Sequence, residues 1–305
     1  MASIRELKRR IKSVKNIAQV TRAMQMVAAS RMRRAQEQAL ASRPYAAKAW
    51  EILTHLAAQR GGADQLHPLL THRDEVKNVA IILITADKGL AGAYNSNMIR
   101  ATLKFMNSRP DQEFSLITVG RKGRDLMVRL RKNVVAEFTD MPDRPKVLDI
   151  SPIAHIAIDG FLSGKFDQVY LAYSEFINTL TQRPTIRLLL PLRTELDENS
   201  VMYKYITPAT TMVSAEYVYE PAPAVLLDTV IPRFTELQIY QAVVEAQASE
   251  HSARMVAMRN ATENANSLIG DLTLTYNKAR QEAITKEMLD IAGGAEALAQ
   301  SLKSK

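Results

Sequence analysis

Residues Phe234–Ala283, FTELQIYQAVVEAQASEHSARMVAMRNATENANSLIGDLTLTYNKARQEA, decide how this chain folds. Alternate steps of three and four from Phe234 reach Leu237, Gln241, Val244, Ala248, His251, Met255, Met258, Thr262, Ala265, Ile269, Leu272, Tyr276, Ala279 and Ala283. An apolar or small residue returning every 3.5 residues keeps one seam of a helix toward a partner and imposes a left-handed supercoil. The repeat runs for about seven heptads, beyond the three or four that mark a coiled coil, and about 50 helical residues span roughly 75 Å. The pattern predicts a long helix paired with another long helix.

The other end of the chain supplies one. Apolar residues recur at Ile4, Leu7, Ile11, Val14, Ile17, Val20, Met24 and Val27, with no Gly or Pro before Pro44. Ser3 followed by Glu6 is a capping-box pattern that starts the helix near Ile4. Pro44 lacks an amide proton and predicts a kink. Helical pattern resumes at Trp50, Leu53 and Leu56 and stops at Gly61-Gly62, giving a helix of about 55 residues, on the order of 80 Å.

The period changes between these ends. Val79–Ile84 is a short apolar run followed by the Gly-containing loop Asp87–Gly92 and a helical pattern from Met98 to Met106, so a strand precedes a helix. Phe114–Val119, Gly120-Arg-Lys-Gly123 and a helix through Leu130 repeat the move. Ile153–Leu162 predicts a third helix. Gln168–Tyr173 and Ile186–Leu192 predict strands joined by a turn around Gln182-Arg-Pro184. Pro208, Pro221 and Pro223 mark an extended connection into the last helix, in which Pro232 predicts a kink.

The expected fold class is α/β: a long antiparallel two-helix coiled coil of the N- and C-terminal helices, with a small Rossmann-like α/β domain inserted between them. The expected domains are 1–57 for the first helix, 58–222 for the α/β domain with its linkers, and 223–305 for the last helix. Two helices of unequal length that enter one domain from opposite ends of the sequence leave roughly 20 residues, near 30 Å, of the longer one unpaired. That segment, about Ile284 to Leu302, carries Met288, Leu289, Ile291 and Leu298. An apolar tip of this kind requires a sleeve from other chains.

Composition excludes several chemistries. The 305 residues are 47% apolar and contain no cysteine, so disulfides, thiolate metal ligands and a thiol switch are absent. The histidines have no metal-ligand spacing, and no apolar run reaches the 18 residues of a membrane helix. No metal or cofactor is expected. Gly89-Leu-Ala-Gly92 and Gly120-Arg-Lys-Gly123 follow strands, where amides can cradle phosphate, yet neither completes G-x-G-x-x-G. Gly160–Lys165 resembles a P-loop one spacer short, with Phe166 where Ser or Thr is required. Tight turns that need glycine account for these loops better. No nucleophile elbow or carboxylate pair appears, so the sequence describes a mechanical or binding protein with no catalytic residues.

Charge is concentrated at the start. Residues 1–43 hold eleven Lys and Arg against Glu6 and Glu37, so the rest of the chain is about neutral beside a net charge of +8. A basic helix meets nucleic acid, an anionic membrane or an acidic protein, or is simply solvated. A basic coiled-coil nucleic-acid-binding protein is therefore the alternative reading. It leaves the α/β domain and the uncharged tip without a purpose. A nucleotide-dependent enzyme is a third reading, weakened by the incomplete glycine motifs.

Both termini resemble one family. Ser13–Ser30, followed by Arg31-Met-Arg-Arg-Ala-Gln36, is similar to the signature first helix of the gamma subunit of F-type ATP synthases. Ser249–Thr262, Leu272–Gln281 and the I-T-x-E-x-x-[DE]-x-x-x-G-A pattern at Ile284–Ala295 match its last helix, and Thr85–Gly92 resembles its first strand-to-loop segment. The resemblance runs through the whole chain in order. It implies a central-stalk rotor, one copy per complex, whose coiled coil threads the ring of alpha and beta subunits above the epsilon subunit and the membrane c-ring. Proton flow then turns the rotor, and each beta subunit passes through binding, synthesis and release of ATP. It also implies no contact with nucleic acid and membrane association only through the complex, on the cytoplasmic side of a bacterial inner membrane. The absence of the inserted Cys-containing switch of the chloroplast branch favours a bacterial or unregulated source. Carried over by position, the contacts to the ring are Arg22, Met24 and Val27 on the first helix and Arg280, Gln281, Thr285 and Glu287 on the last. Met24 also lies on the apolar seam, where a core role competes with contact. For Arg280 and Gln281, contact and solvation both remain open. Gly293-Gly294 reads as close packing against the sleeve or as a frayed end.

Overall fold

The computed structural model describes residues 4–58, 67–192 and 223–303. Ser3, the Gly61-Gly62 stop, Pro208 and Pro221 lie outside the described residues. Helix α1 is Ile4–Ala58 and passes through Pro44 as continuous helix, and α5 is Pro223–Lys303, with Pro223 at its first position and Pro232 inside. Proline suits the first helical turn because its missing amide donor has no partner there anyway. Between them lie β1 (Asn78–Ile84), α2 (Tyr94–Asn107), β2 (Glu113–Val119), α3 (Arg121–Arg129), β3 (Val134–Phe138), α4 (Val147–Leu162), β4 (Gln168–Phe176) and β5 (Gln182–Leu190).

The strands form one sheet in the order β3-β2-β1-β4-β5, parallel except for β5, which runs antiparallel to β4. Side chains of β1 alternate between its faces, as a period of two requires. Val79, Ile81 and Leu83 join Met98, Ile99, Met106 and Met127 beneath α2 and α3. Ala80, Ile82 and Ile84 join Ile153, Ala157 and Phe161 of α4, together with residues of both long helices. A strand buried on both faces reads as an unbroken apolar run, which is why β1 is plain in the sequence.

The chain divides into two compact units, Val27–Val256 and Met1–Met26 with Ala257–Lys305. In the larger unit α5 belongs to the core. Phe234 meets Trp50 of α1 with ring centroids 5.8 Å apart, and the Gln241 amide donates to the Ser42 hydroxyl at 2.7 Å. Every residue from Phe234 to Ala246 is buried. A helix enclosed on all sides is a core helix, so here the seam is one of several buried faces.

In the smaller unit the two helices pair through a seam alone. Met258, Thr262, Ala265, Ile269, Leu272, Tyr276 and Ala279 are buried or half-buried, and the residues between them are mostly exposed. Thr21 and Thr262 share a hydrogen bond of 2.7 Å, which sets the antiparallel alignment and puts Leu7 opposite Tyr276. Ala283, the expected last seam position, is exposed.

Three expectations are corrected. The α1 seam does not follow Ile17, Val20 and Val27, which are exposed; after Val14 it continues through Ala18, Thr21 and Ala28, so the alternation of three and four persists while residue size drops. The turn expected around Gln182-Arg-Pro184 lies at residues 177–181, and Pro184 sits within the edge strand β5, where a missing donor is tolerated. Helix α4 starts at Val147, six residues before the expected Ile153, with the Lys146 amide donating to Asp149 at 2.7 Å and Pro152 accommodated inside.

Candidate functional site

The Gly120–Gly123 loop is filled by the chain itself. At the start of α3 the Arg121 amide donates to Asp87 at 3.0 Å, the Lys122 amide to the Ala86 carbonyl at 3.1 Å, and the Gly123 amide to the Thr85 hydroxyl at 2.9 Å. These are the donors that would cradle a phosphate at a helix N-terminus. Gly120 and Gly123 are glycines because Thr85 packs where a Cβ would stand. Gly160 has the same cause, since a Cβ there would lie 2.3 Å from the Phe166 ring.

Beside these loops a cleft of about 190 Å³ opens at the C-terminal ends of β1 and β2, lined by Arg31, Asp87, Lys88, Asp143, Glu250, His251 and Arg254 among others. Its charges largely answer one another: Arg31 pairs with Asp143 at 3.1 Å and Arg254 with Glu250 at 2.6 Å. Among the described residues no group of His, Asp and Glu is arranged to hold a metal ion. Burial, then Arg254 and Arg31, pushes the His251 imidazole down to about 4 against the pull of Asp143. Burial also raises the Glu250 carboxyl despite Arg254 beside it.

A folded His pKa below the unfolded value of about 6.5 means that stability is whole above pH 6.5 and is lost as pH falls toward 4. The loss expected from this one group is on the order of 3 kcal/mol across that window. Urea unfolding of the full chain at pH 7 and pH 4.5 tests it. His251→Asn should lose clearly less on acidification than the parent, and equal losses would remove His251 as the cause.

The outward faces of the smaller unit differ in kind from the cleft. Ile17 is 52% and Val20 58% exposed on α1, and on α5 Met288 is 65% and Leu289 66% exposed, with Ile284 and Ile291 also uncovered. From Arg280 to Ala295 every side chain is exposed. Arg5, Lys8, Arg9, Lys12 and Lys15 stand exposed along the same stretch of α1.

Of the residues carried over by position, Arg22, Val27, Arg280, Gln281, Thr285 and Glu287 are exposed and Met24 is half-buried. They do not form one cluster. With Thr21 opposite Thr262, Arg280 lies about 19 helical residues beyond the level of Arg22, roughly 28 Å along the pair. Ile17 and Val20 are surface residues that apolar size, followed in place of strict spacing, puts on the seam. Continuing the strict alternation past Val14 would have exposed them.

No helix among the described residues is long and apolar enough to cross a membrane. A family model described as ATP synthase matches residues 3–298. The chain is 50% identical over 302 residues to the ATP synthase gamma chain of Roseiflexus castenholzii, covering 98% of this chain and 100% of that one. It is 48% identical over 299 residues to the gamma chain of Dehalococcoides mccartyi, again covering 98% and 100%. Among solved structures, the central stalk and c-ring of the Tetrahymena thermophila mitochondrial ATP synthase contains a similar chain, with TM-score 0.58 and 26% identity over 79% of this chain and 99% of that one. A chain of the Euglena gracilis mitochondrial ATP synthase shares the fold, with TM-score 0.64 and 19% identity over 97% and 94%.

Proposed function

The chain belongs to the ATP synthase gamma family, and we propose that it is the rotor of its complex, a subunit without catalytic groups that works by shape. It is the central-stalk subunit of an F-type ATP synthase. The smaller unit threads the ring of alpha and beta subunits, and the larger unit meets the epsilon subunit and the c-ring. Proton-driven turning presents a different side of the unequal helix pair to each beta subunit, which takes each through binding, synthesis and release of ATP.

One observation carries this reading: the seam buries its small residues inside the pair and leaves Ile17, Val20, Ile284, Met288, Leu289 and Ile291 facing outward. Each such side chain, already partly covered, gains on the order of 1 kcal/mol or more when fully buried, so a surrounding sleeve is favoured. The contacts to the ring are Arg22, Met24, Val27, Arg280, Gln281, Thr285 and Glu287, joined by Ile17 and Val20. The exposed cations of α1 suit acidic loops of the ring. The subunit is held at the membrane through the complex, on the cytoplasmic side of a bacterial inner membrane. A full-length family relationship replaces the nucleic-acid reading of the basic helix.

The cysteine-free background offers a clean test. Leu180, 77% exposed in the β4–β5 turn, is replaced by Cys and carries a bead while the catalytic ring is immobilised. ATP should drive rotation in one direction. Beads that stay still on complexes that hydrolyse ATP and contain one copy of the chain would overturn the rotor assignment.

A further inference from the structure

Strand β4 outruns its neighbour. The ladder with β1 ends at Leu83 opposite Ala172, while β4 continues to Phe176 beside β5. Helix α5 takes over at that point. The Ser249 hydroxyl donates to the Ser174 carbonyl at 2.8 Å, the Phe176 amide donates to the Glu245 carboxylate at 3.1 Å, and the Ser252 hydroxyl donates to the Thr179 carbonyl at 2.7 Å. Glu245, Ser249 and Ser252 follow one another by four and three residues, so they share one face of the helix. All three are buried.

Apolar residues would seal this face with less desolvation, since a buried polar group is costly unless it is bonded. What hydrogen bonds add is direction. Apolar packing is non-directional, and a helix held by it alone can turn about its axis or slide. Bonds to main-chain groups of β4 and of the turn that follows it, made from three successive levels of the helix, hold both its rotation and its height.

We propose that Glu245, Ser249 and Ser252 form a torsional clamp, in which α5 replaces the missing strand at the protruding end of β4 and passes turning force between the sheet and the long helix. The inference rests on the rotor reading, and these are positioning residues.

The test uses the membrane-bound complex carrying Ser249→Ala/Ser252→Ala, with Ser252→Ala alone as the milder variant should the double one assemble poorly. Amide exchange across residues 174–182 should quicken about tenfold in the double variant. ATP hydrolysis should hold at the parent rate while protons pumped per ATP fall by half or more. Unchanged exchange would remove the bonds, and faster exchange with undiminished pumping would remove their mechanical role. An equal fall in hydrolysis and pumping would reduce them to a general structural part and also overturn the clamp. Failure of the rotor reading is distinguished by the bead measurement, in which the parent complex itself would not turn.

Discussion

Deleting residues 284–305 should cut the stall torque of the complex several-fold and lower its rate of ATP synthesis, while the larger unit unfolds as before. Thr21 opposite Thr262 brings the start of α1 level with about Ala279, and unbroken exposure begins at the next residue. Among the described residues of the smaller unit, none covers Ile284, Met288, Leu289 or Ile291. If a sleeve of partner chains covers them, their loss forfeits on the order of 1 kcal/mol or more of burial each. The core of the larger unit draws on residues 46–246 and loses nothing. Single-molecule torque and synthesis in inverted vesicles measure the outcome. Parental torque together with parental yield of complex would end the tip's role.

The largest loss of stability is expected from Gly120→Ala. Gly120 has φ +94°, and a Cβ there would stand 2.1 Å from the Thr85 carbonyl oxygen and 2.7 Å from its carbon. Both obstacles are backbone, and the Thr85 amide is itself bonded to the Val119 carbonyl at 2.8 Å, so neither side can yield cheaply. Strained φ combined with core overlap puts the cost at about 3–5 kcal/mol, enough to lower the melting temperature by roughly 10 °C. Gly89, with no heavy atom within 4 Å of a Cβ, is the control, and Gly89→Ala should stay within about 0.5 kcal/mol. Thermal unfolding of both variants decides the matter: similar melting temperatures would mean that the Thr85 contact does not dictate glycine.

The last helix was the most legible element because its repeat uses one period and needs no knowledge of tertiary packing. Its seam holds to Ala279. The first helix was half legible. After Val14 the larger apolar residues drift off the strict alternation, and following size in place of spacing leads to Ile17 and Val20. Small residues occupy the true seam there, and the larger ones stand exposed. Periodicity within one sequence says that a face is apolar without saying whose core it joins. Strand β3 escaped notice because its five residues are at most half-buried and leave little apolar signal. The early start of α4 was hidden by Pro152, which marks a break by rule and is absorbed here. Gly120 and Gly123 answer to Thr85 and Gly160 to Phe166, neighbours that no local pattern in the sequence announces. The clamp could not be foreseen, since Glu245, Ser249 and Ser252 reveal their partners only when β4 is seen to extend past β1.

The outward chemistry of the tip bears on friction. Hydrocarbon surfaces such as Ile284, Met288, Leu289 and Ile291 offer no preferred angle to whatever encloses them, because burial of apolar area rewards closeness and ignores orientation. Inside an enclosing socket, a spindle end of this composition would turn without a series of hydrogen bonds to break and remake, and the energy profile around the circle would be nearly flat. Replacing these side chains by hydrogen-bonding ones would cut notches into that profile, and the motor would show added dwells at angles set by the polar groups of the enclosing surface.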